Sequence, residues 1–251
     1  MPMITKGTAA LTRTAGEVRR YRIWKRMIPV ICACIAVLIT LIYIVAVLYT
    51  KFASFTVSVN KYHQLKYGLS LSEKADFQKP TVRLECRASE EITNIDGKFL
   101  DGEKLGATDG VDSGENYLCY TFYCKNMGTE PVSYSVAMNI ANMTMGVEEA
   151  IRVRLISNIN GENGKSVDYA RAAGVDENGN AIPEPDTVPF YSKYTVMEEE
   201  VTEFQPGDIS KYTVVIWLEG NDPECLDNII GGEFKVDMNF TVTSVADLDE
   251  A

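Results

Sequence analysis

Twenty-three consecutive residues without a charge, Met27 to Tyr49, constrain this chain more than any other feature. As a helix they span about 34 Å, enough to cross a hydrocarbon core of about 30 Å. Apolar side chains surround the whole segment, whereas a soluble core helix of that length keeps a polar stripe. Pro29 falls in the first turn, where its missing N–H is tolerated, and Tyr21, Trp24 and Tyr49 fall where interfacial aromatics are favoured.

The charges on either side give the segment a direction. Residues 1–26 carry seven Lys or Arg against Glu17, a net plus six, so with the whole chain at minus eleven the remainder carries minus seventeen. Positive residues stay on the cytoplasmic side, which predicts a cytoplasmic tail (1–26), a transmembrane helix (27–49) and an exported C-terminal domain. The expected location is therefore the cell membrane, single-pass, with the lipid bilayer as partner through 27–49. A cleaved signal is the competing expectation, although its apolar core normally has only about 7–15 residues. The small pair Ala53 and Ser54 is the candidate processing site. So acidic an outer part is repelled by nucleic acid, and that class of partner is set aside.

Beyond the membrane segment, Phe55–Val59 alternates apolar with small or polar residues, the pattern of a half-buried strand. Further strands are expected at Gly68–Leu71, Thr81–Arg87, Tyr117–Cys124, Val132–Asn139, Ile151–Ser157, Tyr194–Val201, Tyr212–Leu218 and Phe234–Val242. Turn chemistry separates them, including Asp96-Gly97, Asp101-Gly102, Asn126 to Gly128, Asn160-Gly161 and Gly231-Gly232. No strong amphipathic helix is expected among them, and Gly146 to Ala150 has room for one turn. This predicts an all-β, jelly-roll-like β-sandwich. The expected organisation is a juxtamembrane segment with the first strand at 50–66, the sandwich at 67–243 and an acidic tail at 244–251. Tyr212–Leu218 is apolar on both faces, so a mid-sheet position under a loop or a partner is expected. The Gly- and Pro-rich stretch Asp168 to Pro189 reads as a long exposed loop.

Chemistry-bearing residues are sparse. His63 is the sole histidine, which removes HExxH zinc chemistry and His-based triads. Carboxylates abound, among them Glu198 to Glu200, Glu219, Asp222 and Glu224, but so acidic a domain supplies pairs by chance, and no enzyme activity is expected. The turn Asp109 to Glu115 departs from the EF-hand order and reads as solvated, with weak calcium binding as the alternative. No cofactor or metal is expected. Cys32 and Cys34 lie in the membrane segment. Cys119 and Cys124 face opposite ways on one strand, roughly 16 Å apart, too far for a mutual bridge. Buried free thiols and one long-range disulfide involving Cys86 or Cys225 both remain open.

Four short stretches carry a family resemblance: Phe52 to Thr56, Tyr67 to Leu71, Glu115 to Gly128 with its Asn-x-Gly turn, and Pro206 to Asp208 followed by Gly231 to Phe240. In this order they resemble the camelysin/TasA group of exported β-sandwich proteins of Gram-positive bacteria, over most of residues 50–243. Trp217 to Gly232 also looks like a segment of uncharacterised clostridial membrane proteins. The resemblance implies a jelly-roll-like fold and a surface or biofilm-fibre role. The metalloprotease activity described for camelysin does not carry over, because no zinc motif stands here. Lys51 directly after the apolar segment, without a cleavage signature, departs from the family's release step. The partners expected are a cell-wall, matrix or envelope protein, or other copies of the chain assembling by strand addition.

Overall fold

The computed structural model describes residues 15–49, 53–88, 92–100, 104–162 and 164–245. The start of the basic tail, residues 50–52, the Asp101-Gly102 turn and the acidic tail from 246 lie outside them. The chain divides into two units, Met1–Thr50 and Lys51–Ala251.

The first unit holds one helix, α1 (Ala15–Tyr49), with Pro29 inside it. Its stretch Ile23–Ile44 is long and apolar enough to cross a membrane, and none of it is buried.

The second unit is mostly β, as expected. In chain order it comprises β1 (Ala53–Val59), helix α2 (Lys61–Tyr67), β2 (Leu69–Ser72), β3 (Arg83–Arg87), β4 (Asn94–Ile95), β5 (Gly110–Val111), β6 (Tyr117–Asn126) and β7 (Val132–Met143). There follow β8 (Ile151–Ile159), β9 (Lys165–Ala170), β10 (Gly174–Val175), β11 (Ala181–Ile182), β12 (Val188–Pro189), β13 (Thr195–Phe204), β14 (Ile209–Glu219) and β15 (Phe234–Val245). One sheet runs β13-β7-β15-β1-β3 and the other β12-β9-β8-β14-β6-β2, with β4 and β5 added at the latter's margins.

Alternation builds the first sheet. Phe55, Val57 and Val59 of β1 and Phe234, Val236, Met238 and Phe240 of β15 point inward and are buried, while the intervening residues stay half-exposed. Facing them are Leu118, Tyr120, Phe122 and Cys124 of β6 and Tyr212, Val214 and Ile216 of β14, in one continuous core. The Phe55 ring lies 6.1 Å from both Tyr120 and Phe122, and Phe240 lies 5.3 Å from Tyr212, so aromatic contacts cross the sandwich.

The second face of β14 is covered from within the chain. Val215 and Trp217 join Cys119, Leu100 and Leu105 in a smaller buried cluster. Lys211 Nζ donates to the Gly106 carbonyl at 2.7 Å, and a Cβ on Gly106 would stand 2.4 Å from Thr213 Oγ1. The segment around Leu105 therefore lies directly on the sheet, and glycine permits that approach.

Three expectations need correction. Residue 67 is no boundary: β1 is an interior strand, because its alternating apolar face completes the core. The stretch 168–189 is not one loop, since β9 adds to β8, the pair β10–β11 forms a small hairpin, and β12 runs parallel to β9. Two-residue strands are too short to leave a periodic signal. A helix also interrupts the strands: Asn60 Oδ1 accepts from the Tyr62 N–H at the start of α2, and Gly68 ends it in the left-handed region (φ +78°).

Candidate functional site

Three regions could carry function: the seat of β1, the buried cysteines and an ionic cluster at one end of the sandwich.

The seat of β1 is paired along both edges. From Ala53↔Phe234 to Val59↔Phe240 it runs parallel to β15, and from Ser54↔Arg87 to Ser58↔Arg83 antiparallel to β3. On its outer face Ser58 Oγ donates to Asn239 Oδ1 at 2.7 Å. The candidate processing residues Ala53 and Ser54 thus form the first two positions of an interior strand. Cleavage there requires those pairs to open, because peptidases act on extended, unpaired backbone.

All six cysteines are free thiols. Cys124 faces the main core and Cys119 the smaller cluster, so the two do point to opposite faces. Burial pushes the Cys86 thiol up to about 12 and the Cys119 thiol to about 11, and raises Cys124 further. These groups stay protonated near neutral pH and are poor nucleophiles and ligands. Cys225 is half-buried and lies 3.6 Å from Asn94 Nδ2.

His63 sits in α2, where Nδ1 accepts the Val242 backbone N–H at 3.1 Å, a structural use of the ring. Of the turn Asp109 to Glu115, Asp109 accepts the Tyr123 hydroxyl at 2.6 Å and Ser113 Oγ accepts the Cys119 N–H at 3.0 Å. These bonds fasten the turn to β6.

The ionic cluster centres on Arg152 of β8, 5% exposed, and Asp222, 7% exposed. The guanidinium is ion-paired with Asp222, lies 3.6 Å from Glu184 and donates to the Ile151 carbonyl at 3.2 Å. Glu184, Asp222 and Glu224 each bring an oxygen within 4.8 Å of the others. A hydrogen bond to Asp222 is the main influence raising the Glu224 carboxyl above its ordinary value, with some desolvation and the nearby negative charges adding to it. Three carboxylates of this kind have the donor type of a hard cation site. Here, however, the Arg152 guanidinium already compensates the buried Asp222. The Glu224 backbone N–H also donates to Asp222 Oδ1 at 2.9 Å, which fixes the turn that carries both acids. The cluster's evident work is to tie β8 to the loops at 184 and 222.

Sequence reading named Asp222 and Glu224 but missed Arg152 and Glu184. The available signal was an Arg at each outward position of an otherwise apolar strand, Ile151-Arg152-Val153-Arg154. Arg154 makes a bidentate pair with Asp168, at 2.6 and 2.8 Å, and lies over the Trp217 ring. Glu198 to Glu200 remain apart on β13, and Glu219 accepts from Trp217 Nε1 and the Gly97 N–H.

No protein-family model and no curated protein sequence matches the chain. Among solved structures, a β-glucosidase from Kluyveromyces marxianus in complex with glucose is 10% identical. The match covers 72% of this chain and 16% of that one with a TM-score of 0.23, too low to carry an argument.

Proposed function

We propose that this chain is a membrane-anchored cell-surface protein, non-enzymatic, whose acidic β-sandwich is held outside the cell by a retained N-terminal helix. The observation that carries this reading is the apolar stretch Ile23–Ile44, exposed throughout, only a few residues ahead of β1. Such a surface is stable in lipid and unstable in water. The positive tail sets the N-terminus inside, and the minus seventeen of the remainder suits a domain that presents acidic loops to a wall, matrix or envelope partner. The sequence resemblance to camelysin/TasA proteins and their jelly-roll-like fold supports a surface role.

A second reading follows from the seat of β1. A strand next to the membrane segment that fills an interior slot can be exchanged between copies once it is freed, giving fibres by strand addition. The deciding measurement is the N-terminal sequence and intact mass of the protein from membrane and released fractions. A full-length chain confined to the membrane supports the anchored module. A released chain beginning near Ser54 or Phe55 overturns it in favour of strand exchange.

A further inference from the structure

The strand β1 begins four residues after the last residue of α1. Four Cα steps reach at most about 14 Å, whatever their path. If the helix stays in the bilayer, as proposed above and on which this inference rests, the Ala53 end of the sandwich is held near the headgroup layer.

The same end carries exposed apolar side chains. Because Ala53 pairs with Phe234 and Phe234 with Met143, the loops 144–147 and 226–233 flank the start of β1. Met145, Leu226 and Ile230 project from these two loops, and Tyr191 and Tyr194 from the turn entering β13; all five are between 57% and 72% exposed. The first two loops are braced against each other. Thr144 N–H donates to the Glu233 carbonyl at 3.1 Å, Glu233 N–H donates to Thr144 Oγ1 at 2.8 Å, and a Cβ on Gly232 would stand 3.0 Å from Thr144 O. Met145 adopts φ +57°, a conformation unfavourable for a residue with a side chain, and still points that side chain outward.

We propose that these loops rest in the headgroup layer of the membrane that holds α1. Tyr at this depth and aliphatic tips below it match the chemistry of the interface. Glu148 and Glu149, just after the first loop, pair with Arg171, and Glu233 pairs with Lys235; with Asp227 that leaves four acids against two bases, so the lipid surface that fits is zwitterionic. The opposite end supplies an internal control: Tyr62 and Leu65 on α2 are equally exposed, but α2 packs beside Val242, eight residues along β15 from Phe234, about 26 Å away.

The test uses the full chain in phosphatidylcholine vesicles containing a diazirine-bearing lipid, with photo-adducts mapped by mass spectrometry. Adducts in 27–49, in 143–147 and in 226–232, with none in 61–67, are expected. Adducts in 27–49 alone overturn the loop contact and leave the anchor intact. No adducts in 27–49 remove the anchor and the inference with it, and adducts at both ends of the sandwich refute the orientation. The pair Met145→Asp and Ile230→Asp, at exposed positions, should lower loop adducts several-fold without changing those in 27–49. Added anionic lipid should lower them as well.

Discussion

Replacing Phe55 with alanine tests whether β1, the strand that follows α1, is a structural part of the domain. Phe55 is fully buried and touches two aromatic rings of the opposite sheet. The lost transfer energy is about 2–3 kcal/mol, and the cavity left between rigid sheets brings the total to about 3–5 kcal/mol. Against a typical stability of about 5–15 kcal/mol that is a large share. For a domain of this size it corresponds to a fall in Tm of roughly 6–20 °C. The neighbouring Thr56 is half-exposed on the outer face, and Thr56→Ala should cost no more than about 0.5 kcal/mol. Urea unfolding of the full chain in detergent micelles, followed by Trp217 fluorescence in a Trp24→Phe background, separates the two. Equal, small losses for both substitutions would refute the reasoning, because they would mean that β1 is not seated in the core.

The buried ion pair predicts an asymmetry: Arg152→Ala alone should cost about 3–5 kcal/mol by leaving Asp222 charged and unpaired, whereas Arg152→Leu with Asp222→Leu should recover most of that in the same unfolding assay. Glu224 predicts a pH dependence. Its raised carboxyl binds a proton more tightly in the folded state, so the stability it contributes is full below its ordinary value of 4.5 and is lost as pH rises through the raised value. Glu224→Gln should remove that slope in urea titrations at several pH values, and an unchanged slope would reject the assignment. The thiols of Cys86, Cys119 and Cys124 should react with an aromatic disulfide reagent only after unfolding, and intact mass should match fully reduced cysteine. Rapid labelling of the native protein, or a mass lower by two hydrogens, would contradict this.

The strands with one wet face were legible because period-two alternation reports burial directly, as in Phe55 to Val59. Tyr212 to Leu218 was legible as a central strand, but only the tertiary arrangement identifies Leu100 and Leu105 as its cover. Helix α2 carried readable signals, an Asn at its start and a Gly at its end, yet its seven residues leave no room for a helical period. Arg152, Glu184 and Asp222 are far apart in sequence and meet through topology, so no local motif announces the cluster. The residue types in the 168–189 stretch pointed to turns correctly, but the two-residue strands between those turns are fixed by pairing, β10 with β11 and β12 with β9, rather than by their own composition.

The parallel pairing of β1 with β15 has consequences for the whole β domain. Parallel neighbours need a crossover, and here everything between residues 59 and 234 serves as that crossover. The first strand of the domain is therefore completed by the last strand among the described residues, a contact of large sequence separation and hence of high closure cost. Until β15 arrives, β1 has only β3 beside it and the inward faces of Phe55 and Val57 lack half their cover. Because the two strands run the same way, the chain enters the sandwich at the Ala53 end and leaves at the opposite one, at Val245. Withdrawing β1 would split its sheet into β13-β7-β15 and an isolated β3, opening two unpaired edges and a core slot at once. Strand exchange in this fold is thus close to all-or-none.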